Sequence, residues 1–210
     1  MKILTRVVKC AFCGKESEQK VLAGGSILGD IELDTRPAEF GRDNFTAEIC
    51  ECPHCRYCNF TIETTDAMPV EFSKSYIDLA YSEKYTRLAI RYWLAAMLYE
   101  AVGDSYTSGM LYLKAAWAFD DNQDQESAII ARKNAAYFFA EYVDNTNDGE
   151  ILLVLIDVLR RAGGFDSAIK WIDEVEQTGI DEVDNVLRFQ RNLCVACDSN
   201  PHTYGEVTNA

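Results

Sequence analysis

Residues 10 to 13 read CAFC, and residues 50 to 58 read CECPHCRYC. Thiolates are soft ligands, and zinc takes four of them at tetrahedral corners, each about 2.3 Å from the ion. A C-x2-C turn suits that task because its tight backbone aims two side chains at one point. Its amides can also hydrogen-bond the sulfurs and spread their charge. Two such units facing each other, with strands around them, make a zinc ribbon. CAFC (10–13) and CPHC (52–55) are separated by 38 residues, more than the usual spacing of about 15 to 20, so the intervening loop must fold back on itself.

Two choices exist for the second unit, because Cys52 with Cys55 and Cys55 with Cys58 are both C-x2-C. Pro53 favours Cys52 and Cys55, since proline fixes φ where the turn begins. The residue after such a turn is often left-handed. Gly14 suits that in the first unit and Arg56 suits it poorly in the second, whereas Asn59 would suit the alternative that uses Cys58. Spare thiols are expected near the site, and His54 reads as an exposed side chain. A single complete set predicts one structural Zn2+ per chain, closed to water and substrate.

A fourth thiol pair, CVAC (194–197), is followed by His202. A second metal site or a redox dithiol is conceivable there. However, Val183, Val186, Leu187, Cys194 and Cys197 fit one apolar stripe of a helix, which predicts two buried thiols acting as small hydrophobes. A dithiol oxidoreductase would sit at a helix start in a βαβ setting, and none is present. The chain has two histidines, no paired His and carboxylate motif and no phosphate-cradling glycine loop, so the expectation is a protein that is not an enzyme.

Composition sets further bounds. With 34 carboxylates against 20 Lys and Arg, the net charge is −14, which argues against a phosphate backbone as partner. Residues 1–82 carry 9 basic and 13 acidic side chains, and residues 83–210 carry 11 and 21. No stretch reaches the roughly 18 to 20 apolar residues of a membrane span; ILLVLIDVL (151–159) and YWLAAMLYEAVG (92–103) are interrupted by Asp157 and Glu100. Charges in MKILTRVVKCAFC stand where a signal peptide would be apolar. The expected compartment is the cytoplasm, whose reducing chemistry favours metal-bound over disulfide-bonded thiols.

The elements that must position these thiols divide the chain in two. Residues 1–72 have the texture of short strands and turns, with NFTIETT alternating Phe60, Ile62 and Thr64 as a half-buried strand would. A boundary is expected near 66–82. From Glu83 to Asp198 there is no proline, and apolar residues recur at helical spacing. Turn signals separate helices at about 83–102, 105–119, 124–143, 149–162, 165–177 and 180–198. One face carries Leu88, Tyr92, Ala95, Ala96 and Tyr99, another Leu152, Leu155, Ile156 and Leu159. The predicted class is α+β: a zinc-ribbon-like β domain at 1–72, an all-α array at 83–198, and a flexible tail at 199–210.

Segments 92–116 and 152–176 superpose without gaps, each an apolar helix, a glycine (Gly103 or Gly163) and a second helix. This resembles the tetratricopeptide repeat, with Tyr92, Ala96, Tyr99, Gly103, Ser108, Tyr112 and Ala115 on motif positions in the first copy. Leu152, Ile156, Leu159, Gly163, Ala168, Ile172 and Val175 occupy them in the second. The proline expected after each second helix is missing, Ser108 replaces the small alanine, and the 60-residue offset is not two regular repeats.

The run DIELDTRPAEFGR (30–42), between CAFCG and CPHCRY, resembles a bacterial family of unknown function. Its members have a paired-cysteine segment, a Leu-Asp-Thr-Arg-Pro stretch, a Cys-Pro-x-Cys-Gly-Tyr knuckle and tetratricopeptide-like helices. The resemblance implies Cys10, Cys13, Cys52 and Cys55 as the four-cysteine site; Arg56 stands where the family has glycine. It offers no reaction to inherit. Within the loop, Asp34, Arg36, Glu39 and Arg42 read as an ion-pair network pinning the excursion to the ribbon, the alternative being an anion site at Arg36 and Arg42.

These features favour a zinc-stabilised adaptor or scaffold that binds a protein or peptide, basic or amphipathic, on its helices. In tetratricopeptide geometry, Ile90, Trp93, Met97 and Glu100 would face the concave side from one pair. Glu150, Leu153, Asp157 and Arg160 would do so from the other. The alternative function is a redox- or zinc-responsive regulator using the spare cysteines; a nucleic-acid-binding ribbon conflicts with the charge.

Overall fold

Two small β-hairpins come first, and helices follow. The computed structural model describes residues 2–24, 29–39, 42, 45–64, 71–175 and 179–207. Strands β1 (Lys2–Lys9) and β2 (Glu16–Gly24) pair antiparallel, with Arg6 opposite Gln19 and Val8 opposite Ser17. A short helix α1 (Phe45–Glu48) leads into β3 (Cys50–Glu51) and β4 (Cys58–Asn59), paired antiparallel in a second sheet. Gln19 joins the two sheets, its amide donating to the Glu51 carbonyl (2.8 Å) and accepting from the Glu51 amide (3.3 Å). The Ala11 amide donates to the Ile62 carbonyl (2.8 Å).

The helices are α2 (Lys74–Ala80), α3 (Arg87–Ala101), α4 (Ser105–Asp121), α5 (Gln125–Thr146), α6 (Gly149–Arg161), α7 (Phe165–Glu174), α8 (Asp181–Val195) and α9 (Tyr204–Val207). From α3 to α8 each packs on the next, as short connections require. The four turns from α3 to α7 share one device. Residue 103, 123, 147 or 163 takes a left-handed conformation, and the next residue is the N-cap of a new helix. Asp104, Asp124 and Asp148 cap α4, α5 and α6 by accepting the amides of Thr107, Ser127, and Glu150 and Ile151, the usual way to satisfy orphan amides at a helix start. Small residues let the helices approach: at Gly109 of α4 an added Cβ would lie 2.6 Å from the Phe139 ring of α5. Among the described residues no helix is long and apolar enough to cross a membrane.

One hydrophobic core runs through both parts, joining Val8, Ile49, Tyr57 and Ile62 to Tyr92, Leu94 and Trp117. Hydrogen bonds reinforce the junction: the Tyr92 hydroxyl donates to the Phe45 carbonyl (2.9 Å), and the Tyr99 hydroxyl to Asn59 Oδ1 (3.0 Å).

The structure is an α+β protein, as the texture implies, and three local expectations change. NFTIETT forms no strand over its described residues 60–64: only Cys58–Asn59 pairs, Phe60 is exposed and Ile62 is buried among bends. The first long helix begins at Arg87 rather than 83, with Thr86 before it, and α2 was not foreseen. Residues 199–207 are not a flexible tail. The Leu33 amide donates to the His202 carbonyl, the Tyr204 amide donates to the Ile31 carbonyl, and Glu32 bridges to Thr203. Val207 is buried beside Leu33 and Val186. Backbone pairing with the 30–36 loop holds this segment, a long-range contact that composition does not reveal. Part of the expected boundary, 65–70, lies outside the described residues.

Candidate metal centre

Each hairpin carries one C-x2-C unit at its turn, and the two turns have the same shape. In the first, the Cys10 amide donates to the Lys15 carbonyl (2.9 Å) and the Gly14 amide to the Cys10 carbonyl (2.8 Å). In the second, the Cys52 amide donates to the Tyr57 carbonyl (2.8 Å) and the Arg56 amide to the Cys52 carbonyl (2.9 Å). The residue after the second cysteine is left-handed in both, with φ of 71° at Gly14 and 65° at Arg56. Left-handed backbone costs a side-chain-bearing residue about 1–2 kcal/mol. Arg56 is held there by an ion pair to Glu51 (2.8 Å), by the face of Tyr81 (5.4 Å to the centroid), and by its carbonyl accepting from the Tyr76 hydroxyl (2.9 Å). Arginine therefore stands at the glycine position of the family pattern without disturbing the knuckle.

The four sulfurs of Cys10, Cys13, Cys52 and Cys55 lie within 4.8 Å of one another. Cys10 Sγ is 3.7 Å from Cys55 Sγ, and Cys13 Sγ is 3.6 Å from Cys52 Sγ. A tetrahedron with metal–sulfur bonds near 2.3 Å has edges of about 3.8 Å, so the thiols fit one tetrahedral ion. Backbone amides already point at the sulfurs, from Phe12 and Cys13 to Cys10, from Lys15 to Cys13 and from Tyr57 to Cys55. Burial pushes the Cys10 and Cys55 thiols up. At Cys13 the Lys15 amide and the neighbouring thiols outweigh burial and pull the thiol down.

Cys58 takes no part. Its buried thiol donates to the Arg56 carbonyl (3.4 Å), and burial pushes its pKa up, so it stays a neutral thiol. Cys50 is likewise buried and raised, first by burial. Asn59, considered as the left-handed residue of the alternative knuckle, instead bonds the Tyr57 hydroxyl (2.9 Å) and sits in β4. His54 is exposed, with its ring 3.3 Å from the Glu16 carbonyl. At the other end of the chain, Cys194 is buried beside Ile156, Ala168 and Leu187, its thiol pushed up by burial to about 11. Cys197 corrects the apolar-stripe expectation: it lies past the end of α8, left-handed and exposed. The two thiols do not form a paired site, and His202 is turned to Asp198 (3.1 Å) and Glu206 (2.6 Å).

The Leu-Asp-Thr-Arg-Pro loop docks on the helices rather than on the ribbon. Asp34, fully buried, accepts from the Arg36 amide (3.1 Å), the Trp117 indole (2.8 Å) and Arg161 (2.8 Å). Arg161 also reaches Glu32 (2.9 Å) and Asp120 (3.2 Å). Arg132 pairs with Asp120, Arg36 with Asp121 (2.5 Å), and Arg42 with Glu32 (2.9 Å). Four guanidinium groups thus meet four carboxylates, so Arg36 and Arg42 are compensated and do not form an anion site. Glu39 is exposed. Sequence reasoning missed Glu32, Asp120, Arg132 and Arg161. The available signal was charge inside small or apolar runs, such as Arg132 between Ala131 and Ala135.

The residues expected on one concave face separate. Ile90 is buried. Trp93 and Met97, half-buried, line an apolar groove of about 290 Å³ with Leu79, Tyr85, Phe119 and Ile130. Glu100 is exposed and accepts from the Tyr112 hydroxyl (2.9 Å). Glu150 and Leu153 line a different cavity. Asp157 and Arg160 correct the expectation outright: they are 1 % and 0 % exposed and pair with each other at 2.7 Å. Arg160 also donates to the Asp198 and Asn200 carbonyls (2.6 and 2.9 Å). The C-terminal segment covers the face that would have been concave.

A family model described as "Uncharacterized protein conserved in bacteria (DUF2225)" matches residues 3–192. No curated protein and no solved structure matches the chain.

Proposed function

The chain belongs to that bacterial family, and on this premise we propose that it is a zinc-stabilised adaptor that binds a protein or peptide partner in the Trp93–Met97 groove. The four-thiol site supports zinc as the ion: soft ligands in a tetrahedral set select it, and four protein ligands leave no position for a substrate. Its role is to join two hairpins too small to be stable alone.

The observation that carries the binding role is the groove itself. Trp93 is set edge-on to Tyr112 (5.4 Å) and Phe119 (6.0 Å), so its ring is held rigid while one side stays open. Rigid aromatics beside methionine are the surface that interfaces favour. An apolar trough between helices takes the apolar face of an amphipathic helix. The net charge of −14 favours a partner helix whose polar face is basic. The α3–α4 and α6–α7 pairs, alike in their left-handed glycine turns (φ of 77° at both Gly103 and Gly163), support the likeness to tetratricopeptide arrays. The redox alternative is weakened, since Cys50, Cys58 and Cys194 are buried with raised thiols, which leaves it the exposed Cys197.

Ile130 rims the groove and is 47 % exposed, so Ile130→Lys should leave folding unaffected. Partners recovered from native lysate by the wild type should be lost with Ile130→Lys and with Met97→Ala. Partners retained by an Ile130→Lys protein of unchanged melting temperature would remove the groove from the mechanism.

A further inference from the structure

A second cavity, of about 300 Å³, lies away from the groove and draws its walls from four distant segments. Thr35 comes from the Leu-Asp-Thr-Arg-Pro loop, Tyr106 and Met110 from α4, Glu150 and Leu153 from α6, and Tyr204 from α9. Thr35 has φ of 70°, a genuine outlier for a β-branched residue. The buried bonds of Asp34 on one side and the Thr35 amide donating to the Glu32 carbonyl (2.8 Å) on the other hold it there. The volume is at the lower end of ligand pockets, which suits a short chain.

Its chemistry selects a cation. Glu150 is exposed and has no cationic partner among the described residues, and no Lys or Arg lines the cavity. At the start of α6 the amides of Glu150 (3.0 Å) and Ile151 (3.1 Å) are already taken by Asp148 Oδ1, which leaves them no free donor for an anion. The Tyr204 phenol is pushed up first by burial and then by nearby carboxylates, of which Glu150 lines the cavity itself. Tyr106, its ring 5.3 Å from Tyr142, and Tyr204 supply π faces, which attract ammonium groups.

We propose that this cavity binds an alkylammonium group, with its methylenes against Met110 and Leu153 and its charged head between the Glu150 carboxylate and the rings of Tyr106 and Tyr204. A lysine side chain and a free small amine share that chemistry. The site is independent of the Trp93–Met97 groove and stands or falls separately from it.

The test titrates the full-length, zinc-loaded protein with n-butylamine, n-butanol and butyrate, read by calorimetry and by protein-detected NMR. Butylamine should bind at least about tenfold tighter than butanol, the factor that about 1.4 kcal/mol supplies, and butyrate should not bind. Glu150→Gln, at an exposed position that keeps the fold, should bring the amine down to the alcohol's affinity without changing the melting temperature. Equal binding of amine and alcohol, an unaffected Glu150→Gln protein, or no amine binding would overturn the assignment. Nα-acetyl-lysine amide binding tighter than butylamine would assign the site to a lysine of a protein; the reverse order would assign it to a free amine.

Discussion

Replacing Asp34 by asparagine keeps the shape of the side chain but removes the charge facing Arg161 and Arg132 and turns one acceptor oxygen into a donor. Asp34 is fully buried and accepts three hydrogen bonds. Breaking a buried pair from one side costs about 3–5 kcal/mol. Glu32 and Asp120 still face Arg161 at 2.9 and 3.2 Å, which sets the expectation at the lower end, about 3 kcal/mol. For 210 residues, that is a fall of about 6–12 °C in melting temperature. Circular dichroism at neutral pH, with metal content measured in parallel, reads it directly. Arg161→Met should cost a similar amount, and the double variant less than the sum by about 1–3 kcal/mol, because the two act as one unit. Strict additivity, or an Asp34→Asn protein melting within about 2 °C of wild type, would refute the reasoning. The pH dependence has a definite sign. Burial raises the Asp34 carboxyl, but Arg161, Arg132 and the Trp117 indole outweigh it and hold it below the ordinary range. Its stabilisation is therefore full above the unfolded value near 3.9 and is lost as pH falls through the lower folded value. Asp34→Asn should flatten that acid limb. Glu32 runs oppositely: burial and Asp34 raise its carboxyl, so its contribution declines as pH rises from about 4.3 through its folded value.

Cys52→Ser should abolish metal binding, whereas Cys58→Ser should keep one zinc per chain by elemental analysis; a zinc-free Cys58→Ser protein that remains folded would reverse the choice of ligands. Gly109→Ala, which drives a Cβ to 2.6 Å from the Phe139 ring, should cost about 1–3 kcal/mol by overpacking, measured by denaturant unfolding. Cys197 should react with a thiol reagent in the native protein while Cys194 reacts only on unfolding, distinguishable by peptide mass mapping.

The four-thiol cluster was legible because C-x2-C units impose a spacing on the chain that survives any fold. The choice between Cys55 partners turned on Pro53, and the left-handed Arg56 shows that a salt bridge and a tyrosine face can substitute for the freedom of glycine. Helices α4 to α8 were legible because their ends carry local chemistry, aspartate caps and left-handed turns. Charged residues were the failure. Asp157 and Arg160 read as part of a concave binding face because the tetratricopeptide likeness places them there, yet each is buried with a partner three residues away. Arg161 and Glu32 find each other across 129 positions, and no local rule anticipates that. The C-terminal segment was misread for the same reason: its partners are at the other end of the chain.

That last contact has a consequence for synthesis on the ribosome. Glu32 leaves the ribosome long before its bridging residue Thr203. At about 5–20 residues per second, the early loop waits on the order of ten to thirty seconds for the strand that completes it. Meanwhile the carboxylates and guanidinium groups of the loop and of α4 to α6 lack their final cover. The pairing of the 30–36 loop therefore waits until residues 202–204 have been made. A chain cut between Val186 and Val207 would leave Leu33 and Val186 without the Val207 side chain that packs against them.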